Sequence, residues 1–248
     1  MEAARALRAL VQSQQTVYTL QLNFLAPRIL SRQRRSFHKT SNAKAEVHEG
    51  RPSPARKAQL SKDQKAFLDR ALRVNHAGEL AAVRIYTAQT PTIVKSHPHL
   101  RPLMKHMYDQ EVDHFDTFTK MLARHRIRPT AMYPVWQAAA SLLGWSTAMM
   151  GQEAAMACTE AVETAIGDHY NEQVRELFKW MQDMRARGED IDPEIVTLID
   201  ILKRIRDEEL EHLDHAVEHD AHKARPYEPI TKVIEYGCKG AIWITERI

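Results

Sequence analysis

One eight-residue string occurs twice, and it limits what this chain can fold into more than any other feature. Asp109-Gln110-Glu111-Val112-Asp113-His114-Phe115-Asp116 returns as Asp207-Glu208-Glu209-Leu210-Glu211-His212-Leu213-Asp214. In each copy a Glu and a His stand three apart, Glu111 with His114 and Glu209 with His212. Residues i and i+3 of an α-helix are neighbours on one face, so each copy offers a carboxylate and an imidazole pointing the same way. Two such helices facing each other hold two metal ions between them.

The echo extends upstream. Ala77-Gly78-Glu79, with Tyr86 seven residues beyond the Glu, has its counterpart in Ala161-Val162-Glu163, with Tyr170 seven beyond. Seven residues is nearly two turns, so each Tyr lies on the face of its Glu. The chain is two copies of one unit, a helix with a lone Glu followed by a helix with Glu-x-x-His. Four Glu and two His from four helices is the ligand set of ferritin-like carboxylate proteins with two metal ions. Glu79, Glu111, His114, Glu163, Glu209 and His212 are the expected metal ligands. Carboxylates and imidazoles without thiolates suit iron or manganese and oxygen chemistry. Tyr170 joins the four carboxylates as a candidate catalytic residue. Glu208 lies about 100° round the helix from Glu209 and is expected to be dispensable for metal.

The expected fold is all-α: a ferritin-like four-helix bundle made of two tandem helical hairpins, with an extra apolar crossover helix and a C-terminal helix. Ser61-Lys62-Asp63-Gln64 fits a capping box and opens the first helix, which Pro91 is expected to end. Glu79 falls on an otherwise inward apolar stripe, where a carboxylate needs a cation; Asn75, one turn before it, could orient a ligand His. The second helix follows Pro98 and runs to about Arg124. The third ligand helix spans about Gln152 to Met184, the fourth starts near Pro193, and a last helix covers about 229–248. A His stripe, His212, His215, His219 and His222, closes the fourth; a further site at His215 and His219 is less expected there than a solvated helix end.

Residues 131–152 contain no charged side chain. That length approaches a membrane span, but Pro134, Gln137, Gln152 and two glycines favour a crossover lying in a membrane surface, with Trp136 and Trp145 at the interface. Val135, Trp136, Leu142, Leu143, Met149 and Met150 are the expected docking side chains.

The net charge of +3 is unevenly placed. Residues 1–45 hold eight Lys or Arg against the single acid Glu2, so the remainder carries −4. The overall pI therefore gives no support to nucleic-acid binding. An Arg- and Ser-rich, acid-poor start is the composition of a mitochondrial transit peptide, expected over 1–45, with 46–60 as a linker and 61–248 as the bundle domain. Two cysteines, Cys158 and Cys238, exclude a thiolate site or a disulfide framework.

Three strings carry a resemblance: Arg73-Val74-Asn75-His76-Ala77-Gly78-Glu79, the run from Ala155 to Glu163, and Arg206-Asp207-Glu208-Glu209-Leu210-Glu211-His212. Together they resemble the mitochondrial 5-demethoxyubiquinone hydroxylase family of ubiquinone biosynthesis over about 61–248. The resemblance implies a di-iron monooxygenase that uses O2 to hydroxylate the ring of a prenylated quinone, peripherally attached at the matrix side of the mitochondrial inner membrane. It implies NADH as electron donor, although no Gly-rich nucleotide fingerprint is present, and a lipid-binding partner protein that presents the substrate; it leaves a homo-oligomer open. Members of that family often have Asp where this chain has Asn75. The competing expectation is a ferritin-like iron-handling protein, which has no use for an apolar helix beside the bundle.

Overall fold

A computed structural model describes residues 60–248. The expected transit peptide, and the expected linker apart from Leu60, lie outside the described residues. Six α-helices follow in order: α1 (Lys62–Ser96), α2 (Arg101–His125), α3 (Tyr133–Met150), α4 (Gln152–Ala186), α5 (Pro193–Glu218) and α6 (Tyr227–Thr245). Short 3-10 turns precede α2 and α6.

Local chemistry sets the boundaries. At the start of α1 the Ser61 hydroxyl accepts from Gln64 N at 3.1 Å and the Gln64 side chain accepts from Ser61 N at 2.9 Å, the expected capping box. Asp192 caps α5 by accepting from Glu194 N at 2.9 Å, with Pro193 in the first turn. Gly151 alone separates α3 from α4; its φ of 118° with ψ of 176° is open only to glycine.

Pro91 does not end α1, which runs on to Ser96. The ring removes one backbone donor, but Ile93 and Val94 beyond it are buried against Leu100, Met104 and Met107. Burying two such side chains contributes roughly 3–6 kcal/mol, enough to offset a helix-interior proline at about 3 kcal/mol.

The hairpins α1/α2 and α4/α5 pack with their turns at opposite ends. Phe67 and Leu68 at the start of α1 meet Trp180 and Met184 at the end of α4 and Ile195 at the start of α5, and the Phe67 and Trp180 rings meet edge to face at 5.4 Å. The turn end of α1/α2 instead packs on Met156 and Ala157, early in α4. The chain must therefore travel the length of the bundle between hairpins, and α3, about 27 Å long at 1.5 Å per residue, makes that journey against α1 and α4. At its crossing with α1, a Cβ on Gly144 would lie 2.5 Å from the Ile85 carbonyl oxygen, so glycine sets the closeness of approach. The last helix, α6, lies on α4 and α1, and Trp136 Nε1 on α3 donates to Thr245 Oγ1 on α6 at 3.0 Å.

Among the described residues no helix is long and apolar enough to cross a membrane. Four of the six expected docking side chains, Val135, Leu142, Met149 and Met150, are exposed, and Trp145 with them. Trp136 and Leu143 are not on that face; they turn inward and wall a cavity.

Candidate metal centre

Each ligand helix carries its polar side chains into the bundle at one level, between two apolar clusters. Glu79, Glu111, His114, Glu163, Glu209 and His212 are each at most 2% exposed. They form two overlapping groups, Glu79–Glu111–His114–Glu209 and Glu111–Glu163–Glu209–His212, with potential ligand atoms within 4.8 Å of one another. Glu111 and Glu209 belong to both. His114 Nδ1 stands 3.0 Å from Glu209 Oε1 and 3.4 Å from Glu79 Oε2. His212 Nδ1 stands 3.1 Å from Glu111 Oε1 and 3.2 Å from Glu209 Oε2. All six residues expected from the sequence thus converge, with Glu111 and Glu209 shared at the middle and a Glu/His pair at either end.

The donor set fits two divalent cations. Both carboxylate oxygens of Glu111 and Glu209, Oε2 of Glu163, and the Nδ1 atoms of His114 and His212 are buried without a hydrogen bond, a costly state for polar atoms that nothing else satisfies. Four carboxylates balance the charge of two divalent ions. Without them the cluster must hold protons instead. Burial pushes the Glu79 carboxyl up to about 8, and burial with its carboxylate neighbours holds Glu163 well above the usual range. Burial disfavours the His212 imidazolium, but Glu111 and Glu209 outweigh it and raise His212 to about 10. Glu111, Glu209 and Glu79 likewise outweigh burial at His114 and raise it. Burial would raise Glu209, yet His114 and His212 pull it down to about 2. Metal entry therefore displaces protons.

The far side of each imidazole is held by the opposite hairpin. His212 Nε2 lies 2.8 Å from Gln110 Oε1, and His114 Nε2 lies 2.5 Å from Glu208 Oε2. Gln110 and Glu208 are the residues immediately before the shared glutamates, so each copy of the octapeptide steadies the other copy's histidine. Arg204 Nη1 donates to both Glu208 oxygens at 3.0 and 2.9 Å. Glu208 falls outside both buried groups, but it positions His114. Sequence reading missed this role for both residues; their shared place in the echo was the available signal. Such outer partners typically contribute 10–100-fold in metal affinity. Glu208→Ala is expected to weaken metal binding by that factor in a chelator competition, with Glu208→Gln largely retaining it. Unchanged affinity in Glu208→Ala would make the contact incidental.

Asn75 does not orient a ligand histidine. It forms a reciprocal amide pair with Gln173, at 2.9 and 2.7 Å, tying α1 to α4; an amide has both donor and acceptor to exchange, where a carboxylate has only acceptors. The two tyrosines part company. Tyr170 OH donates to Glu79, whereas Tyr86 OH meets Met107 Sδ at 3.7 Å and its ring sits edge-on to His212 at 6.1 Å.

A cavity of about 320 Å³ adjoins the centre. Its walls come from α1, α4 and the two added helices, including Ile85, Trp136, Leu143, Val162, Ile234 and Ala241. Glu79 and Tyr170 line it, with His169 beside them, a residue the sequence reading passed over. Burial lowers His169 to about 4, so its imidazole is neutral.

Paired hairpins that bring a Glu and a Glu-x-x-His each to one buried centre define a ferritin-like bundle whose carboxylates and imidazoles could hold metal. Residues 66–245 match the family described as ubiquinone biosynthesis protein COQ7, and the chain belongs to that family. It is 46% identical over 203 residues to the 5-demethoxyubiquinone hydroxylase, mitochondrial, of Saccharomyces cerevisiae, covering 81% of this chain and 87% of the relative. It is 40% identical over 189 residues to the human NADPH-dependent 3-demethoxyubiquinone 3-hydroxylase, mitochondrial, covering 76% and 82%. To the 3-demethoxyubiquinol 3-hydroxylase of Rhodospirillum rubrum it is 39% identical over 199 residues, covering 80% and 82%.

Proposed function

We propose that this chain hydroxylates the ring of a demethoxyubiquinone with O2 at a di-iron centre, as a step of ubiquinone biosynthesis. The observation that carries the reading is the apolar cavity ending on Glu79 and Tyr170. It gives a prenylated ring a dry path to the buried carboxylates. Iron held by Glu79, Glu111, His114, Glu163, Glu209 and His212 would supply the oxygen chemistry. One oxygen atom enters the ring, and the other leaves as water, with two electrons and one proton from a reduced nicotinamide nucleotide and a second proton from solvent. The sequence expectation is NADH; the human relative's name specifies NADPH.

The chain's own groups do the positioning. Tyr170 donates to Glu79 and steadies the carboxylate nearest the cavity. The apolar walls exclude water, and the neutral His169 imidazole is a polar contact available to a ring carbonyl. A ferritin-like iron-handling role leaves this cavity without a purpose.

The helices whose inner faces wall the cavity expose apolar side chains outward: Leu142, Trp145 and Met149 on α3, and Tyr236 and Trp243 on α6. Interfacial helices bind in proportion to the apolar area they bury. This supports peripheral attachment to the matrix side of the mitochondrial inner membrane, and a lipid-binding partner protein on the same face.

Gly78→Leu tests the path. A Cβ there meets nothing closer than Ile166 Cδ1 at 3.9 Å, so the larger side chain fills cavity without breaking the helix. Turnover of a tailed quinone is expected to fall ~100-fold, the order that a 1 Å misplacement of a reacting group costs, with metal content unchanged. Full turnover in the variant would place the substrate path elsewhere.

A further inference from the structure

A second set of metal-ligating side chains lies on the surface, outside the buried centre. His106 on α2 faces Glu211 and His215 on α5. Glu211 Oε1 stands 3.8 Å from His106 Nε2 and 3.6 Å from His215 Nε2, and one ligand atom from each residue lies within 4.8 Å of the other two. Donors at about 2.0–2.2 Å from a metal stand roughly 3–4 Å from one another, so small rotations of exposed side chains complete the geometry. The imidazole rings are 6.5 Å apart at 77°. Two imidazoles and a carboxylate with the remaining positions open are a ligand set for first-row divalent ions.

Glu218 Oε2 lies 3.7 Å from His215 Nδ1, beyond hydrogen-bond reach but near enough for a rotation of its exposed side chain to place a carboxylate on the far nitrogen, the arrangement that turns the other nitrogen toward a metal. His219, the partner the sequence stripe offered, is not involved: its Nδ1 bonds the His215 carbonyl at 2.8 Å. The site is therefore built between hairpins, as the buried one is, rather than along one helix end. His106 and Glu211 are each about half exposed and His215 about a quarter, so an ion here exchanges with solvent.

We propose that His106, Glu211 and His215 form a third metal site, an exchangeable surface station for a first-row divalent cation. It adjoins the buried centre through the chain. His106 precedes Gln110 by one turn, Gln110 holds His212, and Glu211 is the neighbour of His212 in sequence.

The test is a Zn2+ titration of the full chain against the double variant His106→Gln, His215→Gln, both with their buried centres in the same state of loading. The intact protein is expected to take up one more Zn2+ per chain than the double variant. Either single substitution, one on α2 and one on α5, should weaken that extra equivalent at least ~10-fold, the lower bound for losing even an outer partner of a metal. X-ray absorption of the extra zinc should show imidazole scattering. Because the result is a difference between two proteins with the same buried ligands, it stands whether or not the centre is a hydroxylase. Equal stoichiometry and equal affinity in the intact protein and the double variant would overturn the proposal, and so would an extra equivalent that survives either single substitution undiminished.

Discussion

Glu79→Gln is expected to empty the buried centre and, in the same protein, to raise the melting temperature of the metal-free fold. Glu79 is 1% exposed, and burial pushes its carboxyl up to about 8 from an ordinary value of 4.5. Between those two values the unfolded chain is ionised while the folded chain must take up a proton. Stability is therefore lost as pH rises through this window, and at pH 7 the cost is roughly 3–4 kcal/mol at 1.36 kcal/mol per unit. A carboxamide of the same shape removes that cost and can still accept from Tyr170. At 2–4 °C per kcal/mol for a protein of this size, the gain is roughly 7–14 °C at pH 7, shrinking toward zero below about pH 4.5. The neutral amide is a poor replacement for an anionic ligand, so metal affinity should fall by more than the ~100-fold that outer partners contribute, and hydroxylation with it. Thermal denaturation in chelator across pH, with metal analysis, checks both arms. A metal-replete variant, or one less stable than the parent without metal, would overturn the assignment of Glu79.

Gly144→Val should act on the fold instead. The first added carbon would lie 2.5 Å from the Ile85 carbonyl oxygen and 2.8 Å from Ile85 Cα. Both are backbone, so α1 and α3 must separate. Overpacking of this kind typically costs 1–3 kcal/mol and occasionally more, and an obstacle that no rotamer change relieves belongs at the upper end. A melting temperature lower by about 5–10 °C is expected, together with faster proteolysis in α3. All six candidate metal ligands lie on α1, α2, α4 and α5, so molecules that remain folded should keep any metal bound there while losing the cavity wall. An unchanged melting temperature would mean that the two helices do not meet at this residue.

The sequence made the convergence of the six buried Glu and His residues legible because metal geometry imposes fixed spacings. Glu-x-x-His is a statement about one helical turn, and a second copy makes chance an inadequate explanation. Capping residues and prolines placed most helix ends for a similar reason, since each acts on backbone groups within a turn. The errors share the opposite character. Pro91 carries a local penalty that buried neighbours on another helix offset. Asn75 found its partner 98 residues away, and Glu208 found His114 94 residues away; spacing along one helix says nothing of what faces it. Trp136 and Leu143 read as outward because the whole 131–152 stretch is apolar, and an all-apolar helix has no polar stripe to orient it. The cavity was invisible for the same reason, being a space between four helices rather than a property of any one.

The pairing across the hairpins makes each half depend on the other. Each end of the centre takes a lone Glu and a His from one hairpin and needs the shared Glu of the other, and Gln110 and Glu208 reach across in the same reciprocal way. A single hairpin holds neither a finished ion site nor a complete set of supports for it. The same hairpin set against an identical copy would hold both, since the exchange is that of a two-fold axis. A hairpin of this kind is complete only against a second one, and this chain supplies both in one polypeptide. The two halves are not identical: Gln110 stands opposite Glu208, and Tyr86 opposite Tyr170.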